Sequence, residues 1–313
     1  MLQESKWSGR EFYTSSGQYL DRARSPIFRT ENSLYNLREE VLTLRPKGYD
    51  KIFMPFVEDA SVFWLNGVSS GCLNSNYAPY TVLLYVIKYH LPDFIAMVDG
   101  TIIDSEKAYN QLLNAYNHIY TKVVNGNGGG TIYGYCSVDE MIRIGSLFYQ
   151  VMLSGDFTHG ISLDEERRID NNWNKRKKIF DIDHKTFDQY RRKLEGSFFS
   201  DMDWLQFCFR YTNTTDENTF WLFNIPKEKT DESSQVWYKD QDLIPLLDLS
   251  ERIVARGGKV LFIVPKTTGM IEKLSKVFRL VYMGDSIWKS MSHNFYLRDN
   301  LKEDYLVISS YRI

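Results

Sequence analysis

Three groups of residues carry most of the chemistry this chain could do. Glu58 and Asp59 follow the short apolar run Lys51-Ile52-Phe53-Met54, and Asn224, Pro226 and Lys227 follow a second one, Thr219 to Phe223. The third group is basic: Arg167, Arg168 and Lys175-Arg176-Lys177-Lys178, with Trp173 among them and Arg191-Arg192-Lys193 beyond. Carboxylates such as Glu58 and Asp59 attract an ammonium group and oppose another carboxylate, whereas a lysine neutralises phosphate. Basic side chains beside an aromatic ring suit phosphate contact and base stacking. Glu165, Glu166, Asp170, Asp181, Asp183 and Asp188 run among the same residues, so a solvated helix face is the competing reading of that stretch.

Other chemistries find little support. The run Asn125-Gly126-Asn127-Gly128-Gly129-Gly130 lacks the Gly-Lys-Ser/Thr ending of a phosphate loop and reads as a flexible connection. The five histidines show no paired ligand spacing, which speaks against a metal site. Neither a Gly-x-Ser-x-Gly elbow nor a Cys/His nucleophile pattern is present. Cys72, Cys136 and Cys208 are odd in number and far apart, so neither a disulfide framework nor a cysteine-rich zinc site is encoded.

The elements that would position these residues alternate between strand and helix. Leu34, Leu37, Val41 and Leu42 have helical spacing, Lys51–Met54 and Gly71–Leu73 read as short strands, and Ala60 to Asn66 as a helical turn or two. Pro79 to Tyr89 is dense enough in apolar residues for a buried helix. Further on, Thr219–Phe223 and Lys259–Val264 read as strands around an amphipathic helix, Leu243 to Ala255, that Gly257-Gly258 stops. Ile271 to Val277 is helical again. Leu280–Tyr282 and Tyr305–Ser309 are expected to form a final antiparallel pair, because about twenty residues leave little room for a crossover helix. Residues 92–215 interrupt the alternation. They read as an inserted, mostly helical domain in a core made of 1–91 and 216–313.

At these positions the chain resembles the Dam-type DNA adenine N6 methyltransferases of bacteria and phages, over approximately 25 to 310. That family has a Phe-x-Gly-x-Gly loop after its first strand and then Ser-Val-x-Leu-Asn. Here Pro55-Phe56, Ser61-Val62 and Leu65-Asn66 correspond, with Glu58 and Ala60 at the two glycine positions. Leu73-Asn74-Ser75-Asn76 stands where the family has Asn-Asp-x-Asn, so Ser75 occupies the place of the acid. Asn224-Ile225-Pro226-Lys227 stands at the catalytic Asp-Pro-Pro-Tyr and keeps only Pro226. Where an N-terminal Gly-x-Lys helps to hold the cofactor, this chain has Arg29-Thr30-Glu31.

The resemblance implies a Rossmann-like methyltransferase fold in the α/β class, with a mixed sheet and the inserted region gripping double-stranded DNA. It places Asn224, Pro226 and Lys227 at the catalytic position, and Phe56, Glu58, Asp59, Ser75 and Arg29 around the cofactor. Arg167, Arg168, Lys175, Arg176, Lys177 and Lys178 are the expected DNA contacts. The substitutions weaken the usual cofactor, S-adenosylmethionine. A side chain obstructs what glycine allows at Glu58 and Ala60, and Ser75 offers only a neutral hydrogen bond where a charged acceptor would hold ribose hydroxyls. Asn224 can accept through its carbonyl, whereas Lys227 is no stacking ring.

Three functions follow in order. The first is a DNA base-modifying transferase that uses another donor on an extruded base, for example an amine or amino acid joined to an activated hydroxymethyl pyrimidine. The second is an inactive pseudo-methyltransferase that binds DNA, an active partner subunit or a second copy of itself. Ordinary adenine methylation ranks last.

Composition frames these expectations. With 313 residues, 43% of them hydrophobic and 25% charged, the chain has enough apolar residues for a large globular core. A polar N-terminus and the lack of a long apolar run point to a soluble, non-secreted protein without membrane contact, and the cysteine pattern fits the cytoplasm, host cytoplasm if phage-encoded. A net charge of only −2 means that DNA must be met by a local basic surface. Trp221 and Trp237, on either side of Asn224, are the candidate stacking rings, with a structural role as the competing reading.

Overall fold

The computed structural model describes residues 26–28, 34, 37–57, 59–60, 63–64, 70–126, 132–157, 161, 163–164, 168–225, 243–265, 280–282, 288–290, 296–301 and 305–311. Its described helices are α1 (Arg38–Leu44), α2 (Ala78–Tyr89), α3 (Leu91–Val98), α4 (Glu106–Gly126), α5 (Val138–Ser154), α6 (His184–Lys193), α7 (Trp204–Thr212) and α8 (Leu243–Ala255). The strands are β1 (Lys51–Met54), β2 (Gly71–Asn74), β3 (Ile102–Ile103), β4 (Lys178–Ile179), β5 (Phe198–Ser200), β6 (Thr219–Asn224), β7 (Lys259–Pro265), β8 (Leu280–Tyr282), β9 (Trp288–Ser290), β10 (Tyr296–Leu301) and β11 (Tyr305–Ser309).

Seven of these strands form one mixed sheet in the order β10-β11-β7-β6-β1-β2-β5. The pairs from β7 to β5 are all parallel, whereas β11 runs antiparallel to both β7 and β10. A Rossmann-like α/β arrangement results. Alternation along each central strand divides the core between two faces. Ile52, Met54, Phe220, Leu222, Leu261 and Ile263 join the side packed by α2 and by α4 to α6. Phe53, Trp221, Phe223, Val260, Phe262 and Val264 face the layer of α7 and α8. Burial on both faces is what a parallel strand requires, which is why β6 has no exposed residue.

The stretch 92–215 does not stand wholly apart from the sheet. Its β5 is an edge strand of the main sheet, and residues of α4 and α5 share one apolar cluster with α2 and β1. An aromatic group of Tyr77, Tyr80, Tyr116, Tyr120 and Phe148 joins them, with the Tyr77 and Tyr116 hydroxyls 2.6 Å apart. The terminal antiparallel pair also differs from the expectation. β11 pairs with β10, while Leu280–Tyr282 forms a separate ribbon with β9. The Gly257-Gly258 stop has a clear cause: Gly257 takes φ +89, and the two glycine N–H groups donate to Val254 and Ile253 carbonyls at the end of α8. The helix expected at Ile271 to Val277 lies outside the described residues. Among the described residues no single helix is long and apolar enough to cross a membrane.

Candidate functional site

The chain leaves β1 in one direction through β2 to β5, then returns through α7 to β6 on the other side of β1. The order therefore reverses between β1 and β6, and open α/β sheets bind ligands at the carboxyl ends of strands beside such a switch point. Pro55 to Val57, Asp59 and Ala60, Ser75 to Tyr77, Asp201 to Asp203, and Asn224 with Ile225 all lie at that edge.

Asn74, fully buried, ties three of the strand ends together. Its amide nitrogen donates to the Pro55 carbonyl at 3.1 Å and to the Met202 carbonyl at 3.0 Å, and its Oδ1 accepts from the Met202 N–H at 3.1 Å. Val57 N–H in turn donates to the Asn74 carbonyl. These bonds fix the loop after β1. Asp59 is buried there, and its carbonyl accepts from the Trp64 indole.

Ala60 has φ +55, one of two non-glycine residues with positive φ among those described. That conformation favours glycine, and it falls at the second position where the sequence resemblance placed one. A left-handed alanine costs about 1–2 kcal/mol, whereas a buried methyl group contributes about 0.8 kcal/mol. Ala60→Gly should therefore raise stability by about 0.5–1 kcal/mol despite removing core volume. A urea unfolding curve showing instead a loss beyond about 1 kcal/mol would mean that the turn is not strained.

The remaining expected site residues have distinct settings. Phe56 packs its ring on Trp204, 5.7 Å between centroids, in the core beneath the edge. The Ser75 hydroxyl oxygen accepts from Tyr77 N–H at 3.1 Å, which leaves its O–H donor and one further lone pair. Asn224 is buried at the end of β6. Trp221 is fully buried, stacked on Phe53, and donates to Thr215 Oγ1, which makes it a core residue and not a stacking platform. Arg29, Glu58, Pro226, Lys227, Arg167 and Trp237 lie outside the described residues.

Sequence reasoning passed over Asp201. This carboxylate accepts from Ile132 N–H through Oδ2 at 2.5 Å, while Oδ1 is enclosed without a hydrogen-bond partner. Burial pushes its pKa above the usual carboxylate range, against the pull of the Ile132 N–H. Asn76 Oδ1, at the neighbouring strand end, is likewise enclosed and unpartnered. Two such acceptors at one sheet edge are what a donor-bearing ligand would satisfy. The available signal was a Ser-Asp step after the aromatic pair Phe198-Phe199. Three strand spacings separate the Asp201 and Asn224 ends, roughly 14 Å, the length of a nucleotide-sized molecule and too far to act on one atom.

The basic residues divide into two sets. Lys175, Arg176 and Lys177 are exposed, Lys175 with φ +61, and Lys178 holds its ammonium 5.7 Å from the Phe180 ring. Arg168 is paired with Asp164 at 2.6 Å. Arg191 and Arg192 both grip Asp188, whose carboxyl, raised by burial, ends below its ordinary range because these contacts outweigh it. Lys193 donates to the Trp64 carbonyl. That trio is engaged within the protein. Among the described residues no group of three or more His, Cys, Asp or Glu side chains could hold a metal ion. No family model matches the chain, and no curated protein matches its sequence.

Proposed function

We propose that this chain is a DNA base-modifying transferase on a methyltransferase-type scaffold, working in the cytoplasm on a base drawn out of duplex DNA, with a donor other than S-adenosylmethionine. The observation that carries this reading is the gathering of Asn74, Ser75, Asn76, Asp201 and Asn224 at the carboxyl edge of a sheet that reverses between β1 and β6. The mixed sheet with an antiparallel terminal pair is also what the methyltransferase resemblance requires.

In this reading the donor lies along the strand ends. Asp201 and Asn76 accept from its far end, while Asp59, in the loop after the strand that neighbours β6, holds an ammonium group beside the base. With an amine or amino acid as donor, the nitrogen bonds to the exocyclic carbon of an activated hydroxymethyl pyrimidine. The bond from that carbon to the phosphate oxygen breaks, the phosphate leaves with the electron pair, and the amine proton passes to a carboxylate or water. Lys227 neutralises the leaving phosphate, and Lys175, Arg176, Lys177 and Lys178 with Arg167 form the DNA-contacting face of the 92–215 insertion, while Arg168 is held by Asp164. The replacement of both cofactor-loop glycines of the resembled family, with Ala60 still at φ +55, favours a second reading, a pseudo-methyltransferase that binds DNA or a partner subunit without catalysis.

Calorimetry with S-adenosylmethionine at about 1 mM, far above an ordinary cofactor Kd, tests the donor assignment. Absence of binding heat is the expected result, and saturable binding would return the chain to ordinary methylation.

A further inference from the structure

The small β3–β4 ribbon lies apart from the strand-end cluster, directly after the basic run Lys175 to Lys177. We infer that its exposed pair, Ile102 with Ile179, is an apolar wedge that enters duplex DNA between base pairs. This rests on the DNA-contacting face proposed above and assigns to it the residues that open the base stack.

The ribbon has two unlike faces. Its strands run antiparallel with Ile102 opposite Ile179 and Ile103 opposite Lys178, and successive side chains on a strand point to opposite sides. Ile103 and the next residue after β4, Phe180, are buried, the Phe180 ring 5.8 Å from that of Tyr149 in α5. Ile102 and Ile179 are 49% and 55% exposed. A lone exposed isoleucine is ordinary, but two directly opposed ones bring their Cβ atoms to about 5 Å and make a single ridge.

A wedge works against base stacking and must be held firmly from behind. Gly100 N–H donates to the Phe180 carbonyl at 2.8 Å, and Phe180 N–H donates to the Thr101 carbonyl at 2.9 Å. Asp99 Oδ1 accepts from Ile182 N–H at 2.9 Å and closes the same end. The ridge is thus mounted on a braced, core-anchored ribbon.

Charge selects the occupant. Lys175, Arg176 and Lys177 are exposed and lead into β4, which Lys178 begins. The carboxylates nearest in sequence, Asp99, Asp104 and Asp181, are exposed but stand singly, and Asp99 is bonded to Ile182. Four consecutive cations beside an apolar ridge complement the phosphates on either side of a base step, and isoleucine is among the side chains that unstack such steps. A base drawn out of the duplex leaves a gap in the stack that an apolar ridge can occupy.

Fluorescence anisotropy with the full chain and two duplexes of one sequence, intact and with a central abasic site, tests the wedge. Unstacking is already complete at the abasic site, so wild type should bind that duplex about tenfold more tightly near 0.1 M salt. Ile102→Thr with Ile179→Thr keeps both side chains β-branched and should abolish the preference while leaving intact-duplex affinity and its salt slope unchanged. The matched leucine pair should retain the preference. Wild-type binding without preference, or a preference that survives the threonine pair, would overturn the wedge and leave the DNA reading standing. Absence of binding to either duplex would remove both. Tighter binding to phosphatidylserine vesicles than to either duplex, lost in the threonine pair, would overturn the wedge by assigning the ridge to a lipid surface.

Discussion

Asn74→Ala should lower stability by about 2–3 kcal/mol and the thermal midpoint by roughly 4–10 °C, the largest effect expected of any single polar side chain at the sheet edge. Truncation at the end of β2 strands the Pro55 carbonyl after β1 and both backbone groups of Met202 after β5. Met202 is only partly buried, so water recovers part of the loss there. Asn74→Asp should give no rescue, since it restores only the acceptor for Met202 N–H and adds a buried charge. Circular dichroism melts decide the matter. A loss under about 1 kcal/mol would show that the strand ladders alone hold the β1, β2 and β5 ends in place.

Replacing Lys175, Arg176, Lys177 and Lys178 together by alanine should weaken duplex-DNA binding by roughly 10²–10³-fold near 0.1 M salt. Each lost phosphate contact reduces the slope of log affinity against log salt by about 0.9. Lys178 is partly engaged with Phe180, so the expected change in slope is about 2–3. Arg191→Ala is the internal control. Its guanidinium is held by Asp188, and removing it should leave the slope unaltered. Equal slopes for wild type and the fourfold variant, measured by fluorescence anisotropy, would remove this surface from the account.

The division between what the sequence disclosed and what it hid has physical causes. Central strands β1, β2, β6 and β7 are legible because burial on both faces forces continuous apolar runs. β5 escaped notice because it has three residues, follows Glu195-Gly196-Ser197 and lies at the sheet edge, where Phe198 stays exposed. Asp201 was lost with it. β10 includes Arg298, Asp299 and Asn300 and pairs on one side only, so the more apolar Leu280–Tyr282 was chosen as the partner of β11. Missing glycines were plain in the sequence, but only the backbone shows that Ala60 still adopts the conformation glycine would favour. Charge runs carry no information about partners across the fold, which is why Arg191-Arg192-Lys193 resembled a free basic patch before Asp188 and Trp64 were seen to hold it.

The central claim is that the strand-end cluster around Asn224 modifies a DNA base with a donor other than S-adenosylmethionine. Mass spectrometry of nucleosides from DNA that carries activated hydroxymethyl pyrimidines, incubated with the full chain and a panel of amino acids and polyamines, tests it most directly. The account predicts a new nucleoside heavier than its parent by an amine-bearing group, lost when Asn224→Ala replaces the wild type. Nucleosides unchanged by the wild-type chain, or the appearance of N6-methyladenine alone, would contradict it.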